Sequence, residues 1–118
     1  MRTPFFPIDF DTFQAEFIFH KHSHGETVNV CNAEIKVHKQ NHPGDSYGFR
    51  VQQGNKSVIY STDAEHPNIA HGKKYDYLDF IMGSNLLIFD APYSHSESIT
   101  TREHWGHSSY VMGVELAA

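Results

Sequence analysis

Cysteine is nearly absent from the sequence: Cys31 is the only one in 118 residues, so the chain cannot close an intramolecular disulfide bond. No apolar run approaches the roughly 18 residues that a membrane helix requires. The opening residues also lack the apolar stretch and small-residue cleavage site of a signal peptide. Together these absences predict a cytoplasmic protein with no membrane partner.

Basic residues are scarce as well. Nine Lys and Arg stand against 14 Asp and Glu, which gives a formal net charge of −5, and no extended basic run is present. Because DNA and anionic membranes are held largely by clusters of basic side chains, the sequence predicts neither as a partner. Apolar residues make up 39% of the chain, and with this length they predict one globular domain, residues 1–118.

The first half of the sequence has the alternation of apolar and polar residues that is typical of β-strands. Strands are predicted at 15–19, 27–30, 33–38, 47–52 and 56–61. In segment 33–38 the face of Ile35 and Val37 is predicted to be buried, and the face of His38 to be polar and exposed. Gly54 and Asn55 tolerate the positive φ of a tight turn and predict a hairpin between the last two strands.

The second half has a helix-strand-helix pattern. Residues 75–82 place apolar side chains at helical spacing, and Gly83 after them favours the end of a helix. The continuous apolar run Leu86–Phe89 predicts a strand that is buried on both faces. A last helix is predicted over 110–117, with Ser108 or Ser109 as its N-cap. The sequence therefore predicts an α/β fold with a mixed sheet and a β-rich first half.

Polar residues that can carry chemistry stand at the ends of these elements, where loops gather side chains around a rigid frame. His42 lies between Asn41 and Pro43-Gly44, which restrict it as a metal ligand requires; a turn with a solvent-facing histidine is the alternative. Asp63 follows a predicted buried strand, and its two oxygens can bridge two cations, although an aspartate here also caps a helix or turn.

Two more candidates lie further along the chain. Asp90 ends the predicted strand 86–89, either as a site residue or as a turn-forming aspartate. His107 precedes the last predicted helix, where it can donate to an anion at the electropositive helix N-terminus. A proton donor at this position needs a nearby carboxylate that keeps it charged. A histidine in an ordinary loop is the alternative.

Histidine is unusually abundant, with ten residues, and its densest run is His20-Lys21-His22-Ser23-His24. In a strand these three imidazoles would share one face, as in some zinc sites; a solvated loop is the alternative. A cupin-like site of His22, His24 and Glu26 in a small β-barrel is a further alternative. The remaining histidines are interpreted as surface residues: His38, His66, His71, His95 and His104.

Five segments follow one another in a specific order: Asn41-His42-Pro43-Gly44, Tyr47-Gly48-Phe49-Arg50, 58–66, 86–93 and Trp105-Gly106-His107-Ser108-Ser109. This order resembles the metallo-β-lactamase superfamily, in the branch that contains ribonuclease Z and cyclic phosphodiesterase-like metal-dependent hydrolases. The resemblance implies an αββα sandwich that holds two metal ions, usually zinc, which activate a water for attack on a phosphodiester.

The same resemblance implies roles for individual residues. His42 matches a histidine ligand of the first metal, and Asp63 matches the aspartate that bridges both metals. His107 resembles the catalytic histidine that contacts the scissile phosphate and protonates the leaving group, and it is not expected to be a metal ligand. Glu65 and His66 are close to Asp63 in sequence, but the resemblance gives them no definite role.

The sequence departs from the superfamily in its metal ligands. The signature His-x-His-x-Asp-His and the final ligand histidine are not found, so only His42 and Asp63 remain, whereas a zinc site needs three or four protein ligands. We therefore expect residues 1–118 to be a central to C-terminal portion of the fold. On its own this chain would bind zinc, manganese or iron weakly or not at all, and its hydrolysis of phosphodiesters would be negligible.

An incomplete sandwich would also leave an apolar sheet face uncovered. This predicts self-association as a dimer or higher oligomer, or binding to a complementary polypeptide. A small phosphodiester or RNA-like substrate is expected only for the completed fold. The alternative function is a non-catalytic remnant that serves as a binding or assembly module on the same scaffold.

Overall fold

The structure of the chain is a computed structural model, which describes residues 12–66, 75–100 and 104–118. Its elements are β1 (Thr27–Val30), β2 (Ala33–Gln40), β3 (Ser46–Gln53), β4 (Lys56–Ser61), α1 (Asp76–Ile81), β5 (Leu86–Phe89), α2 (His95–Thr100) and α3 (Tyr110–Ala117). The strands form one sheet in the order β1-β2-β3-β4-β5. The pairs β1–β2, β2–β3 and β3–β4 are antiparallel, and β5 runs parallel to β4. The predicted α/β class and mixed sheet are confirmed.

Most predicted elements lie where the sequence pattern placed them. The β3–β4 hairpin pairs Gln53 with Lys56 and thus turns at Gly54-Asn55, as predicted. The predicted strand at 15–19 is wrong: these residues form no strand, and Phe17, Ile18 and Phe19 are all exposed. A short apolar run becomes a strand only where a neighbouring strand pairs with its backbone, and none of the described strands β1 to β5 pairs with residues 15–19.

Helix α2 was not predicted, although its first residues carry a recognisable signal. The Ser94 hydroxyl donates to the Glu97 carboxylate, and the Glu97 amide lies 3.4 Å from the same hydroxyl. The Ser94 amide also donates to Glu97. This reciprocal pattern is a capping box, which the spacing Ser-x-x-Glu alone could have indicated.

One face of the sheet carries the helices. In the strand register His38, Arg50 and Ile59 share this face, because residues paired across a sheet point to the same side. The His38 ring stacks on Phe80 of α1 at a centroid distance of 4.6 Å. The core here consists of Ile59, Tyr77, Phe80, Ile81 and Leu116. The prediction that His38 is a surface residue is therefore wrong, since α1 covers the strand face that looked polar.

The opposite face of the sheet is apolar and largely uncovered. We call it the open face, and its large exposed members, between 36% and 52% exposed, are Tyr47, Phe49, Val51, Tyr60, Leu86 and Ile88. The prediction that β5 is buried on both faces is wrong, because Leu86 and Ile88 lie on the open face while Leu87 and Phe89 pack under the helices. None of the helices among the described residues has the length and apolar character needed to cross a membrane.

Candidate metal centre

Three strands end at the same edge of the sheet, and each is followed by a candidate site residue. Because β2 and β4 both run antiparallel to β3, and β5 runs parallel to β4, the three strands share one direction. Their carboxyl ends deliver His42, Asp63 and Asp90 to a common edge. The topology therefore gathers residues that lie up to 48 positions apart in the sequence.

His42, Asp63 and His107 come together at this edge. Each offers one ligand atom, and the three atoms lie within 4.8 Å of one another. The rings of His42 and His107 meet edge to face, with centroids 5.4 Å apart. His107 arrives from the loop before α3, whose N-cap is Ser109, as the sequence allowed. All three predicted site residues are thus in one cluster.

His42 is fixed by close packing against the loop of His107. Gly106 has a φ of +87°, and a Cβ atom there would lie 2.7 Å from Cδ of Pro43 and 2.9 Å from Nε2 of His42. Only glycine fits this conformation and this space. The other ring nitrogen of His42, Nδ1, is buried and has no hydrogen-bond partner in the described part of the chain. A buried ring nitrogen without a partner is in keeping with a metal ligand.

Asp90 supplies the carboxylate that a proton donor at position 107 requires. Nδ1 of His107 lies 2.5 Å from Oδ2 of Asp90 and 3.8 Å from Oδ1 of Asp63. An ionised carboxylate only accepts hydrogen bonds, so Nδ1 donates and Nε2 is left for a ligand or substrate. The amide of Asp63 also donates to Oδ2 of Asp90, at 3.2 Å. Asp90 therefore holds both His107 and Asp63.

The segments that carry Asp63 and His107 are also joined through Ser108. Its hydroxyl accepts from the His66 amide at 3.0 Å and donates to the Ala64 carbonyl at 2.8 Å. Ser108 is 3% exposed, so this link is shielded from water. Asp63 itself has a φ of 55°, a left-handed conformation that aspartate tolerates better than most residues.

His66 lies in the core, and the prediction that it is a surface residue is wrong. It is 8% exposed and packs on Tyr77 and Phe89, while its Nδ1 shares a 2.5 Å hydrogen bond with the Tyr75 hydroxyl. Burial, together with the smaller effect of the nearby His38, lowers the pKa of His66 to about 4. Burial likewise raises the pKa of Tyr75 and of Tyr77. His71 lies outside the described residues, whereas His95 and His104 are exposed as predicted.

The histidine run at 20–24 does not assemble a metal site. Nδ1 of His22 pairs with Glu26 at 3.1 Å, and Nδ1 of His24 accepts the Lys39 amide at 3.0 Å. Across residues 12–66, 75–100 and 104–118, the group at His42, Asp63 and His107 is the only one whose ligand atoms approach closely enough to hold a metal. The sheet is open, so the cupin-like barrel is also wrong.

The donor set of the cluster fits a divalent metal, but incompletely. Two imidazoles and one carboxylate are ligands that zinc, manganese and iron accept. The structure places His107 close to His42 and Asp63, the two ligands that the resemblance implied, but Nδ1 of His107 is hydrogen-bonded to Asp90. A fully held pair of metals needs more ligands than these three residues offer.

No protein-family model and no curated protein sequence matches the chain significantly. The structure is similar to that of human tRNase Z, short form, with a TM-score of 0.60 and 21% sequence identity. The chain has part of the tRNase Z fold. The match covers 76% of this chain but only 32% of the tRNase Z chain. The predicted partial metallo-β-lactamase fold is thereby confirmed.

Proposed function

We propose that the chain is the part of a metal-dependent hydrolase of the metallo-β-lactamase type that carries its proton donor and some of its metal ligands. His42 and Asp63 would hold a divalent metal, with zinc as the first choice and manganese or iron as alternatives. When bound, such a metal activates a water molecule for attack on a phosphodiester or RNA-like substrate. His107 would protonate the leaving group from Nε2, with Asp90 orienting its ring through Nδ1.

One observation carries this proposal. In a fold similar to that of tRNase Z, the ligand atoms of His42, Asp63 and His107 lie within 4.8 Å of one another, and Asp90 contacts His107 at 2.5 Å. A histidine oriented by a carboxylate, next to a candidate metal ligand pair, is the arrangement of a general acid beside a metal centre. With three donors at most, this chain alone would bind metal weakly and hydrolyse phosphodiesters negligibly.

A titration of the 118-residue chain with Zn²⁺, followed by calorimetry, tests the proposal. We expect weak binding of Zn²⁺ by the wild-type chain and a further loss of about tenfold or more in the His42→Ala and Asp63→Asn variants, since each removes a ligand. His24→Ala is the matched control, because it removes a histidine from a different cluster and should leave the affinity unchanged.

Two outcomes would contradict the metal assignment. Two tightly bound Zn²⁺ ions per wild-type chain would show that the ligand set is larger than proposed. Equal affinity in the His42→Ala and wild-type chains, with a loss in His24→Ala, would move the site to the histidine run at 20–24.

A non-catalytic binding or assembly module is the second candidate function. The open face favours it, because a contiguous apolar surface of this kind marks an interaction site rather than a reaction site. We propose that a second copy of the chain covers this face, so that two sheets pack with helices outside. Because the chain alone is expected to hydrolyse phosphodiesters negligibly, Zn²⁺ binding distinguishes the two functions. A loss of binding in both His42→Ala and Asp63→Asn would favour the hydrolase, whereas binding that both variants retain would favour the module.

We also propose a cytoplasmic location. Cys31 is exposed and free, and a free thiol is typical of a reducing compartment. An exposed thiol that reacts in intact cells with a membrane-impermeant maleimide would contradict this location.

A further inference from the structure

Three loops carry the residues of the candidate metal centre. Glu65 lies in the loop of Asp63 and contacts the other two loops, which carry His42 and His107. Its carboxylate accepts the amide of His104 at 2.7 Å and the amide of Gly106 at 3.1 Å, on either side of Trp105. Its own amide donates to the Asn41 carbonyl at 2.9 Å, and the Asn41 side chain donates back to the Glu65 carbonyl at 3.2 Å. The residues next in sequence to these contacts are His42 and His107.

The conformation of the 104–107 loop explains why the Glu65 carboxylate binds to it. His104 and Gly106 both have a positive φ, 67° and 87°, which directs their amides into one concavity. Backbone amides arranged in this way form an anion site, and charge-assisted hydrogen bonds to them are stronger than neutral ones. Here the anion is Glu65, a side chain of the loop that also holds Asp63. Without the Glu65 carboxylate, the amides of His104 and Gly106 would lose this acceptor.

Because Gly106 packs against His42, the contact between Glu65 and the 104–107 loop also constrains the position of His42. Gly106 lies directly against the His42 ring, so a shift of the 104–107 loop would move His107 and release His42 together. Asn41 constrains His42 from the other side through its two hydrogen bonds with the Glu65 backbone. One residue thus sets the distances among all three ligand atoms.

We propose that Glu65 is the positioning residue of the candidate centre, which fixes His42 and His107 relative to Asp63 without touching a metal or substrate. The part of this inference that concerns metal affinity rests on the proposed function, whereas the part that concerns geometry does not. Residues that orient metal ligands typically change metal affinity by about 10- to 100-fold when they are replaced.

Two measurements on the metal-free and Zn²⁺-titrated chain test the inference. In the metal-free chain, an NMR cross-relaxation signal between the rings of His42 and His107 reports their 5.4 Å separation. In the titrated chain, calorimetry reports the affinity for Zn²⁺. Glu65→Ala should lose the ring-to-ring signal, lose the slow exchange of the His104 and Gly106 amides, and weaken Zn²⁺ binding about tenfold or more. Glu65→Gln keeps one acceptor oxygen, so its ring-to-ring signal, amide exchange and Zn²⁺ affinity should lie between those of the wild-type chain and of Glu65→Ala.

Glu26→Ala is the matched control, since it removes an exposed carboxylate that is hydrogen-bonded to His22 at 3.1 Å, away from the centre. An unchanged ring-to-ring signal in Glu65→Ala would overturn the inference, and so would an equal loss in Glu26→Ala. If Glu65→Ala does not fold, Glu65→Gln decides by the same criteria. If the wild-type chain binds no Zn²⁺, the proposed function fails, and the ring-to-ring signal and amide exchange alone decide on Glu65.

Discussion

At the scale of the residue, His66 makes folding depend on pH. Burial lowers its pKa to about 4 from an ordinary value near 6.5, so the folded chain favours the neutral ring. Protonation therefore favours the unfolded chain once the pH falls below 6.5, and the effect grows until the pH reaches 4. We expect the free energy of unfolding, measured by urea denaturation, to fall by about 3 kcal/mol from this residue across that window.

The variant His66→Phe isolates this contribution, because phenylalanine can pack on Tyr77 and Phe89 but cannot titrate. Its free energy of unfolding should depend less steeply on pH between 6.5 and 4 than that of the wild-type chain. His95→Phe replaces an exposed histidine and should retain the wild-type slope. Equal slopes in His66→Phe and the wild-type chain would show that His66 is not the titrating group.

The site residues also show what a sequence can tell at this scale. His42 and Asp63 are predictable because each directly follows a strand, and topology alone then brings them to one edge. Asp90 was visible as a strand-end aspartate, but its contact with His107 depends on a loop that no local pattern describes. The contacts of Glu65 depend on two positive φ angles at residues 104 and 106. Histidine adopts such an angle more often than most residues but still rarely, so the sequence alone does not indicate it at His104.

At the scale of the element, Arg50 ties strand β3 to the end of helix α1. Its Nη1 donates to the carbonyls of Phe80 and Met82, both at 2.9 Å, and Nη2 donates to the Ser57 hydroxyl at 3.3 Å. The last carbonyls of a helix lack partners within the helix and carry the negative end of its dipole. A helix of six residues is too short to be stable alone, so this link and the packing of Phe80 hold it on the sheet.

We expect Arg50→Met to lower the free energy of unfolding by about 1.5–3 kcal/mol, the usual cost of hydrogen bonds made by a charged group. Thermal or urea denaturation monitored by circular dichroism measures it. Lys36→Met is the control, since Lys36 is the cross-strand partner of Arg50 and is exposed. If both variants lose the same stability, the loss belongs to the sheet surface and not to the helix end.

The elements themselves were predictable wherever the local pattern and the tertiary environment agree. Strand β5 and helix α3 begin and end within one residue of their predicted bounds. The choice of buried face was harder. The helical spacing of the apolar residues Tyr75, Leu78, Ile81 and Met82 indicated the apolar face of α1, and Ile81 is indeed buried. Tyr77 and Phe80, which that spacing leaves out, are buried as well, whereas Met82 is 68% exposed. In so short a helix the apolar residues surround the axis, and only the position of the sheet decides which side is buried.

At the scale of the whole molecule, the sheet is covered on one side only. The helices pack on the face of His38 and Ile59. On the open face Val37 is buried, but six large apolar side chains keep between 36% and 52% of their surface exposed. Burying such a face gains about 25 cal/mol for each Å² of apolar surface removed from water. The family resemblance implied that one face of the sandwich would be uncovered. The exposed apolar residues of the open face correspond to that face.

This surface leads to the last prediction. Two copies that pack their open faces together would form an αββα order of layers around a two-fold axis, with Ile88 and Tyr60 buried between the sheets. We expect the 118-residue chain to form dimers or larger oligomers in sedimentation experiments, and Ile88→Lys to shift it towards the monomer because the new charge would be buried at the interface. Val114→Lys makes the same change of charge at a 69% exposed position of α3, away from the open face, and should leave association unchanged. A wild-type chain that stays monomeric at high concentration, or an equal effect of both lysines, would show that a second copy does not cover the open face.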